Sequence, residues 1–251
     1  MCGLGLLAAL DQLRLNGTKI CCFGDWRQLP PHPESNSWRG CGVDPTAFRE
    51  SRLYKLWSDC TRFEPTRCRR SDQAHFDFYT SLSTDVSKAV AAARRQYGHA
   101  EDADLHVTIS HKRRRAISSA KQQKASEGKE CVRIPACDDD SFQCFAGTKL
   151  IGSSTVGRIV NGARYEVTRI GPERVALKDL ATHEELELTL EAVARQCTLG
   201  WALCYPRVQG CTETGTVLLH DMSSKYLKRH HLYVGLSRVT DGGNVFIAAE
   251  Y

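Results

Sequence analysis

No C-x-x-C pair occurs among the 12 cysteines of this 251-residue chain. The nearest groupings are Cys131, Cys137, Cys144 and Cys197, Cys204, Cys211. Their gaps are too wide for a zinc knuckle, and no histidine pattern partners them. A structural metal is therefore not expected. Scattered cysteines without a signal peptide point to reduced thiols in an intracellular protein rather than a secreted disulfide scaffold. Residues 2–10 (CGLGLLAAL) have the length of a signal core, but no basic residue precedes them and Asp11 follows, so they read as a helix. No apolar window approaches about 18 residues, which excludes a helical membrane span from the expectations. There is also no G-x-x-x-x-G-K-S/T loop of the kind that cradles nucleotide phosphates. Net charge is only +5. That permits nucleic-acid binding without arguing for it, and the distribution of charge matters more.

What is present begins at residues 19–23 (K-I-C-C-F), an apolar run leading into G-D-W-R-Q-L-P-P at 24–31. The pattern predicts a buried strand feeding a stiff loop closed by two prolines. Asp25 and Gln28 stand three residues apart at its mouth. Ligands of open α/β sheets bind just outside the carboxyl ends of strands, which makes this a candidate phosphate-reading loop. Ordinary turn chemistry produces the same local pattern, and both readings stand at this point.

The rest of the chain alternates helix and strand. Residues 3–15 carry Leu6, Leu7, Leu10 and Leu13 at helical spacing, and Asn16-Gly17 ends the helix. Residues 32–51 read as a loop, and 53–57 as a short helix or strand. Residues 61–72 hold four arginines within nine positions, either a solvated basic turn or a seat for a phosphate. Phe76, Phe78, Tyr79 and Leu82 suit a helix packing one face. Residues 84–104 read as helix and 105–110 as a strand. The strand runs into a basic loop, His111-Lys112-Arg113-Arg114-Arg115, ahead of a helix over 116–125. A basic loop at a helix N-terminus suits a phosphate backbone, or is simply a solvated helix start.

Residues 138–140 form an acidic turn. Short β-like runs follow at 149–151, 164–170, 174–180 and 185–190, with Asn161-Gly162 as a hairpin signal. They suggest a small barrel inserted into an α/β framework. A buried run over 198–205 ends in P-R-V-Q-G-C-T, and strands are expected at 216–219 and 245–249. Between them, residues 232–239 (L-Y-V-G-L-S-R-V) are mostly apolar and deliver one charge, Arg238. Burying an arginine is costly unless it meets an anion.

Taken together, these stretches resemble the superfamily 1 helicases of the Pif1/RecD kind. G-D-W-R-Q-L-P-P looks like their motif III. C-R-R-S-D-Q resembles the F-R-Q-x-D segment of motif IV, V-Q-G-C-T the Q-G-x-T of motif V, and L-Y-V-G-L-S-R the Y-V-A-L-S-R of motif VI. I-V-N-G-A-R-Y is similar to the segment opening the family's SH3-like insert. The order and spacing match over nearly the whole chain. The resemblance implies RecA-like α/β folds of the P-loop NTPase kind. Residues 1–60 would be the remnant of a first RecA-like domain. Residues 61–145 and 192–251 would form the second, and 146–191 an SH3-like β-barrel insert.

It further implies that Gly24, Asp25 and Gln28 line a nucleotide site, Gln28 sensing the γ-phosphate. Arg69 would contact that phosphate, and Arg238 would act as arginine finger. Gln209 and Gly210 would couple nucleotide to DNA, with Thr212 beside them. His111, Lys112, Arg113 and Thr212 would touch DNA, and Trp26 would either lie near DNA or pack, with packing the favoured reading. ATP and Mg²⁺ are the implied cofactors, with the Mg²⁺ ligands outside this chain. Single-stranded or forked DNA is the implied partner, together with the N-terminal helicase half, in a monomer without membrane association. A nuclear or viral/host replication site is compatible with this reading.

Four positions depart from the family pattern. Motif V usually begins T-x-H-K, where this chain has Cys204, Tyr205, Pro206 and Arg207; Ser118 stands where asparagine is common. The missing Walker A and B elements are expected upstream of Met1, so the chain looks like the C-terminal part of an ATP-dependent DNA helicase. The isolated chain is then expected to lack ATPase activity. Two other functions stay open: an inactive module that binds single-stranded nucleic acid through its basic loops, and a decayed remnant.

Overall fold

The computed structural model describes residues 4–29, 37–38, 41–42, 51–58, 63, 67–135 and 141–249. The expected acidic turn at 138–140, Cys137, and Pro30-Pro31 lie outside the described residues. The chain divides into two compact units, Met1–Arg69 and Arg70–Tyr251.

In the first unit, α1 (Leu4–Leu15) forms as its leucine spacing predicts. The Asp11 carboxylate accepts from Arg14 at 2.9 Å and from the indole of Trp57 at 3.0 Å, on α2 (Arg52–Ser58). A two-residue ladder pairs β1 (Ser37–Trp38) with β2 (Cys41–Gly42). The strand expected at 19–23 is not there. The segment is irregular and Phe23 is 96% exposed. A strand needs a hydrogen-bonding neighbour, and among the described residues none pairs with it.

The second unit is built on a parallel sheet. Two capped helices come first. Asp72 accepts from the His75 amide at the head of α3 (Gln73–Thr80), and Asp85 from the Ser87 and Lys88 amides at the head of α4 (Val86–Gln96). The helix expected over 84–104 stops early. Past Gln96 the chain turns extended, because Gly98 bridges to Phe246 along the sheet edge. The sheet strands are β3 (Leu105–Thr108), β11 (Ala202–Cys204), β12 (Val217–Leu219) and β13 (Val245–Ile247), in the order β11-β3-β12-β13, all parallel. Every residue of β3 is buried, as in a parallel strand covered on both faces. Helix α5 (His111–Ser126) packs along β11 and β3. The basic residues 111–115 are therefore its opening turns, not a loop before it. Ser110 caps that start by accepting from the Arg113 amide. The short α7 (Tyr205–Val208) and α8 (Arg229–Leu236) pack together, α8 also against α3 and α4.

Between α5 and β11 lies a second sheet. A hairpin of β4 (Val132–Ile134) and β5 (Phe142–Cys144) leads into β6 (Lys149–Gly152), β7 (Arg164–Ile170), β8 (Arg174–Asp179) and β9 (Glu185–Thr189). These join β10 (Cys197–Leu199) in an antiparallel order β10-β6-β7-β8-β9. Asn161-Gly162 closes the β6–β7 connection, the Gly162 amide donating back to Gly152 at 2.9 Å. The barrel expected here is an open sheet among the described residues. Its edge strands β9 and β10 are linked by α6 (Leu190–Gln196) rather than by a ladder. The core beneath it includes Ile134, Leu150, Tyr165, Val167, Leu177 and Val193.

The buried run expected at 198–205 serves both sheets. It breaks at Gly200-Trp201, so that β10 belongs to one and β11 to the other. The Gly200 amide donates to the Lys149 carbonyl and the Trp201 carbonyl accepts from the His106 amide. A Cβ at Gly200 would stand 3.2 Å from the Lys149 carbonyl oxygen, so a side chain there would fit only if the Lys149 backbone gave by a few tenths of an ångström. Among the described residues no helix is long and apolar enough to cross a membrane.

Candidate functional site

The candidate residues of the first unit lie on one turn. The Gln28 amide donates to the Asp25 carbonyl at 3.2 Å. The Asp25 carboxylate accepts from the Arg27 amide at 2.9 Å and from Gln28 Nε2 at 3.4 Å. This is an Asx-type turn, in which an aspartate satisfies the backbone ahead of it. Gly24 and Asp25 are exposed and Gln28 half-buried. Trp26 meets Tyr54 edge-on, with ring centroids 5.6 Å apart, and stays 39% exposed. Arg69, the last residue of this unit, is exposed.

In the second unit three separate stretches converge on Arg238, which is 2% exposed. Its Nε donates to the Val234 carbonyl at 3.1 Å, and a terminal nitrogen to the Ser237 hydroxyl at 2.8 Å. Both acceptors are neutral, and among the described residues no carboxylate pairs with it. Burial and the nearby Arg70 guanidinium both disfavour its charge. Arg70 donates to the Ser237 carbonyl at 3.1 Å and His75 Nε2 to the Leu236 carbonyl at 2.8 Å, closing the C-terminus of α8. Asp72 accepts from the Gly242 amide at 3.0 Å.

From the other side the Glu213 amide donates to the Arg238 carbonyl at 2.7 Å, and the Glu213 carbonyl accepts from the Thr240 amide at 3.1 Å. The Glu213 side chain, 5% exposed, pairs with Arg164 on β7. Burial pushes its carboxyl up, beyond what Arg164 offsets. Glu213 thus lies against the Arg238 segment, with Thr212 one residue before it in the chain. Gly210 makes the turn at φ +96°, a conformation costly for any other residue.

His111, Lys112 and Arg113 lie elsewhere in the unit. The parallel register sets Cys204 opposite Thr108 and Leu219 opposite Val107, so the strands end level. The first turn of α5, the α7 turn with Arg207, and Asp221 all follow directly from those ends. All three basic residues are exposed. Arg113 pairs with Asp221 at 2.7 Å, and the other oxygen of that carboxylate accepts from the Ile109 amide at 2.8 Å. Arg207 donates to the Gly152 carbonyl at 3.0 Å and ties α7 to β6. Cys204 Sγ lies 3.8 Å from His111 Nδ1.

Sequence reasoning missed three features. It did not single out Arg70, whose guanidinium lies near Arg238; adjacent arginines carry no signal to separate them. It passed over Glu213, whose backbone role no pattern announces. It also missed a polar chain inside the sheet. His106 Nδ1 meets His220 Nε2 at 2.9 Å and His106 Nε2 meets Asp102 at 3.0 Å, with Lys121 against the same carboxylate. Burial pushes Asp102 up, but Lys121 and His106 outweigh it and hold it at about 2. Burial also lowers His106, and lowers His220 to about 4 with help from its histidine neighbour. Among the described residues no cluster of three or more His, Cys, Asp or Glu side chains is placed to hold a metal ion.

No protein-family model matches the chain, and no curated protein matches its sequence. Solved structures do match its fold. The Pif1 helicase from Bacteroides, in complex with ADP-AlF3 and single-stranded DNA, has a TM-score of 0.59 at 16% identity, over 97% of this chain and 67% of its own. The Pif1 helicase from Candida albicans has 0.58 at 14% identity, over 91% and 64%. A structure of Pif1 helicases at forked double-stranded DNA has 0.52 at 14% identity, over 72% and 48%. The chain thus spans from about half to two thirds of the length of these proteins. At such identities the likeness is one of architecture, and the α/β fold built on a parallel sheet is similar to that of the Pif1 helicases.

Proposed function

We propose that this chain is the C-terminal portion of a Pif1-like superfamily 1 DNA helicase, whose complete form couples ATP hydrolysis to movement along single-stranded DNA and to duplex unwinding. The observation that carries this reading is Arg238, buried with no carboxylate partner among the described residues, inside a fold similar to that of Pif1 helicases. A desolvated guanidinium held by neutral acceptors suits the arrival of an anion, and a nucleotide polyphosphate supplies one. In this reading Arg238 acts as the arginine finger, and Gln28 and Arg69 act as phosphate-sensing residues of the complete helicase. Gln209 and Gly210 transmit the change through the turn that Glu213 fastens to Arg238. His111, Lys112 and Arg113 hold the DNA backbone at the C-terminal edge of the parallel sheet. ATP supplies the transferred phosphoryl group when bound; this chain's share is charge and positioning, since its sequence holds no Walker A loop.

The test pairs two assays on the full chain. Phosphate release with ATP and single-stranded DNA is expected to stay at background. Binding of a labelled single-stranded oligonucleotide is expected at low salt and to weaken steeply as salt rises. Absence of oligonucleotide binding contradicts the proposal, and so does turnover that survives Arg238→Ala.

A second reading shares the binding half: a single-stranded nucleic-acid-binding module without catalysis. The absent Walker A loop and the basic start of α5 favour it. Phosphate release on adding a separate Walker-containing half would decide for the helicase.

A further inference from the structure

The segment joining β12 to α8 carries a surface that the reading above leaves unused. It departs from the C-terminal end of β12 at His220 and Asp221. The Asp221 carboxylate, through its bonds to the Ile109 amide and to Arg113, fixes the segment beside the start of α5. Asp221 is the sole acidic residue between positions 220 and 231, and both its oxygens are taken. Beyond it stand Lys225, Lys228 and Arg229, none of which pairs with a carboxylate among the described residues.

Among these cations Tyr226 is 64% exposed, with the Lys225 ammonium 5.1 Å over its ring. The ring is presented by a built turn. The Ser224 amide donates to the Asp221 carbonyl at 3.0 Å, the Leu227 amide to the Ser224 carbonyl at 2.9 Å, and the Tyr226 amide to the Ser224 hydroxyl at 3.3 Å. Met222 and Leu227 are buried on either side as anchors. An exposed tyrosine alone is ordinary, and so is a basic run. Here an exposed aromatic ring sits on a fixed turn, with the Lys225 ammonium over it and Lys228 and Arg229 two and three residues on, in a segment that Asp221 ties to the start of α5. That combination fits a polyanion carrying flat apolar groups, where bases stack and phosphates meet lysines.

We propose that Tyr226 is a base-stacking platform for single-stranded nucleic acid, with Lys225, Lys228 and Arg229 drawing the phosphodiester backbone along the C-terminal edge of the parallel sheet. The proposal rests on the nucleic-acid-binding reading given above. An acidic peptide would use the lysines, but has no need of the ring.

Fluorescence anisotropy of the full chain tests it, with a thymidine oligonucleotide and an abasic oligonucleotide of equal length. The wild type binds the thymidine strand more tightly than the abasic one. Tyr226→Ala weakens binding of the thymidine strand by about tenfold and leaves the abasic strand unchanged, while Tyr226→Phe restores the preference. Equal binding of both strands by the wild type overturns the proposal. So does a Tyr226→Ala loss that is the same on both strands, or polyglutamate binding as tight as the thymidine strand. If the thymidine strand still binds and Lys112→Ala weakens it, the nucleic-acid reading survives that failure. If the wild type binds neither strand at low salt, both fall.

Discussion

The Glu213 amide donates to the Arg238 carbonyl at 2.7 Å, so the residue after Thr212 is stitched to the arginine of the apolar segment more than twenty positions on. The same residue reaches the antiparallel sheet through its side chain and Arg164. Glu213 therefore joins the Arg238 segment to β7. A change at either end is expected to be felt at the other.

Arg164→Ala leaves the Glu213 carboxylate buried without its partner. Such losses cost about 3–5 kcal/mol, and the lower end is expected because the Arg164 side chain is 35% exposed. Burial raises the Glu213 carboxyl above its ordinary value. A raised carboxyl binds its proton more readily in the folded state, so its charge weakens the fold as pH rises through that raised value. The Arg164→Ala loss should accordingly shrink at acid pH, and Glu213→Gln in the same background should relieve it at neutral pH. Urea unfolding of the two single variants and the double variant checks this.

Gly235→Ala is expected to destabilise although alanine is the residue the resembling family carries there. A Cβ would stand 2.9 Å from both Leu219 Cδ2 and Tyr205 Cε1. Overpacking of that kind costs about 1–3 kcal/mol. Pairing the substitution with Leu219→Val should recover part of the loss in thermal unfolding. An unchanged midpoint for the single variant would show that the pocket yields freely.

The His106–His220 pair is expected to make the parallel sheet acid-sensitive. His220 is lowered to about 4 from an ordinary 6.5. A lowered histidine contributes stability that is full above 6.5 and is lost as pH falls towards 4. At about 1.4 kcal/mol per pH unit the loss is on the order of 3 kcal/mol over that window. His220→Asn should flatten the profile between pH 7 and 4, measured by denaturant midpoints. A profile as steep as that of the wild type would assign the sensitivity to other groups.

The sequence made the strands of the second unit legible where one face alternates or a whole strand is apolar. Arg164–Ile170 appears at its expected bounds, and the parallel strands lie within theirs. Where it misled, tertiary context decided. Residues 19–23 have the composition of a strand but no neighbour to pair with among the described residues. The helix ending at Gln96 stops because the next residues join the sheet edge, which local pattern cannot see. The basic run at 111–115 became helix because Ser110 caps it. Within the candidate site, Arg238 was legible as one charge at the end of an apolar segment. Arg70 and Glu213 were not, because their roles run through backbone carbonyls and amides that any residue type carries.

Photo-crosslinking of a bromouracil-substituted single strand to the full chain, with the adducts mapped by mass spectrometry, tests the nucleic-acid edge directly. The account predicts adducts on peptides containing His111, Lys112 and Arg113, and their loss when Lys112 and Arg113 are both replaced by alanine. Adducts confined to the β7–β8 turn of the antiparallel sheet, with none at the start of α5, would contradict it.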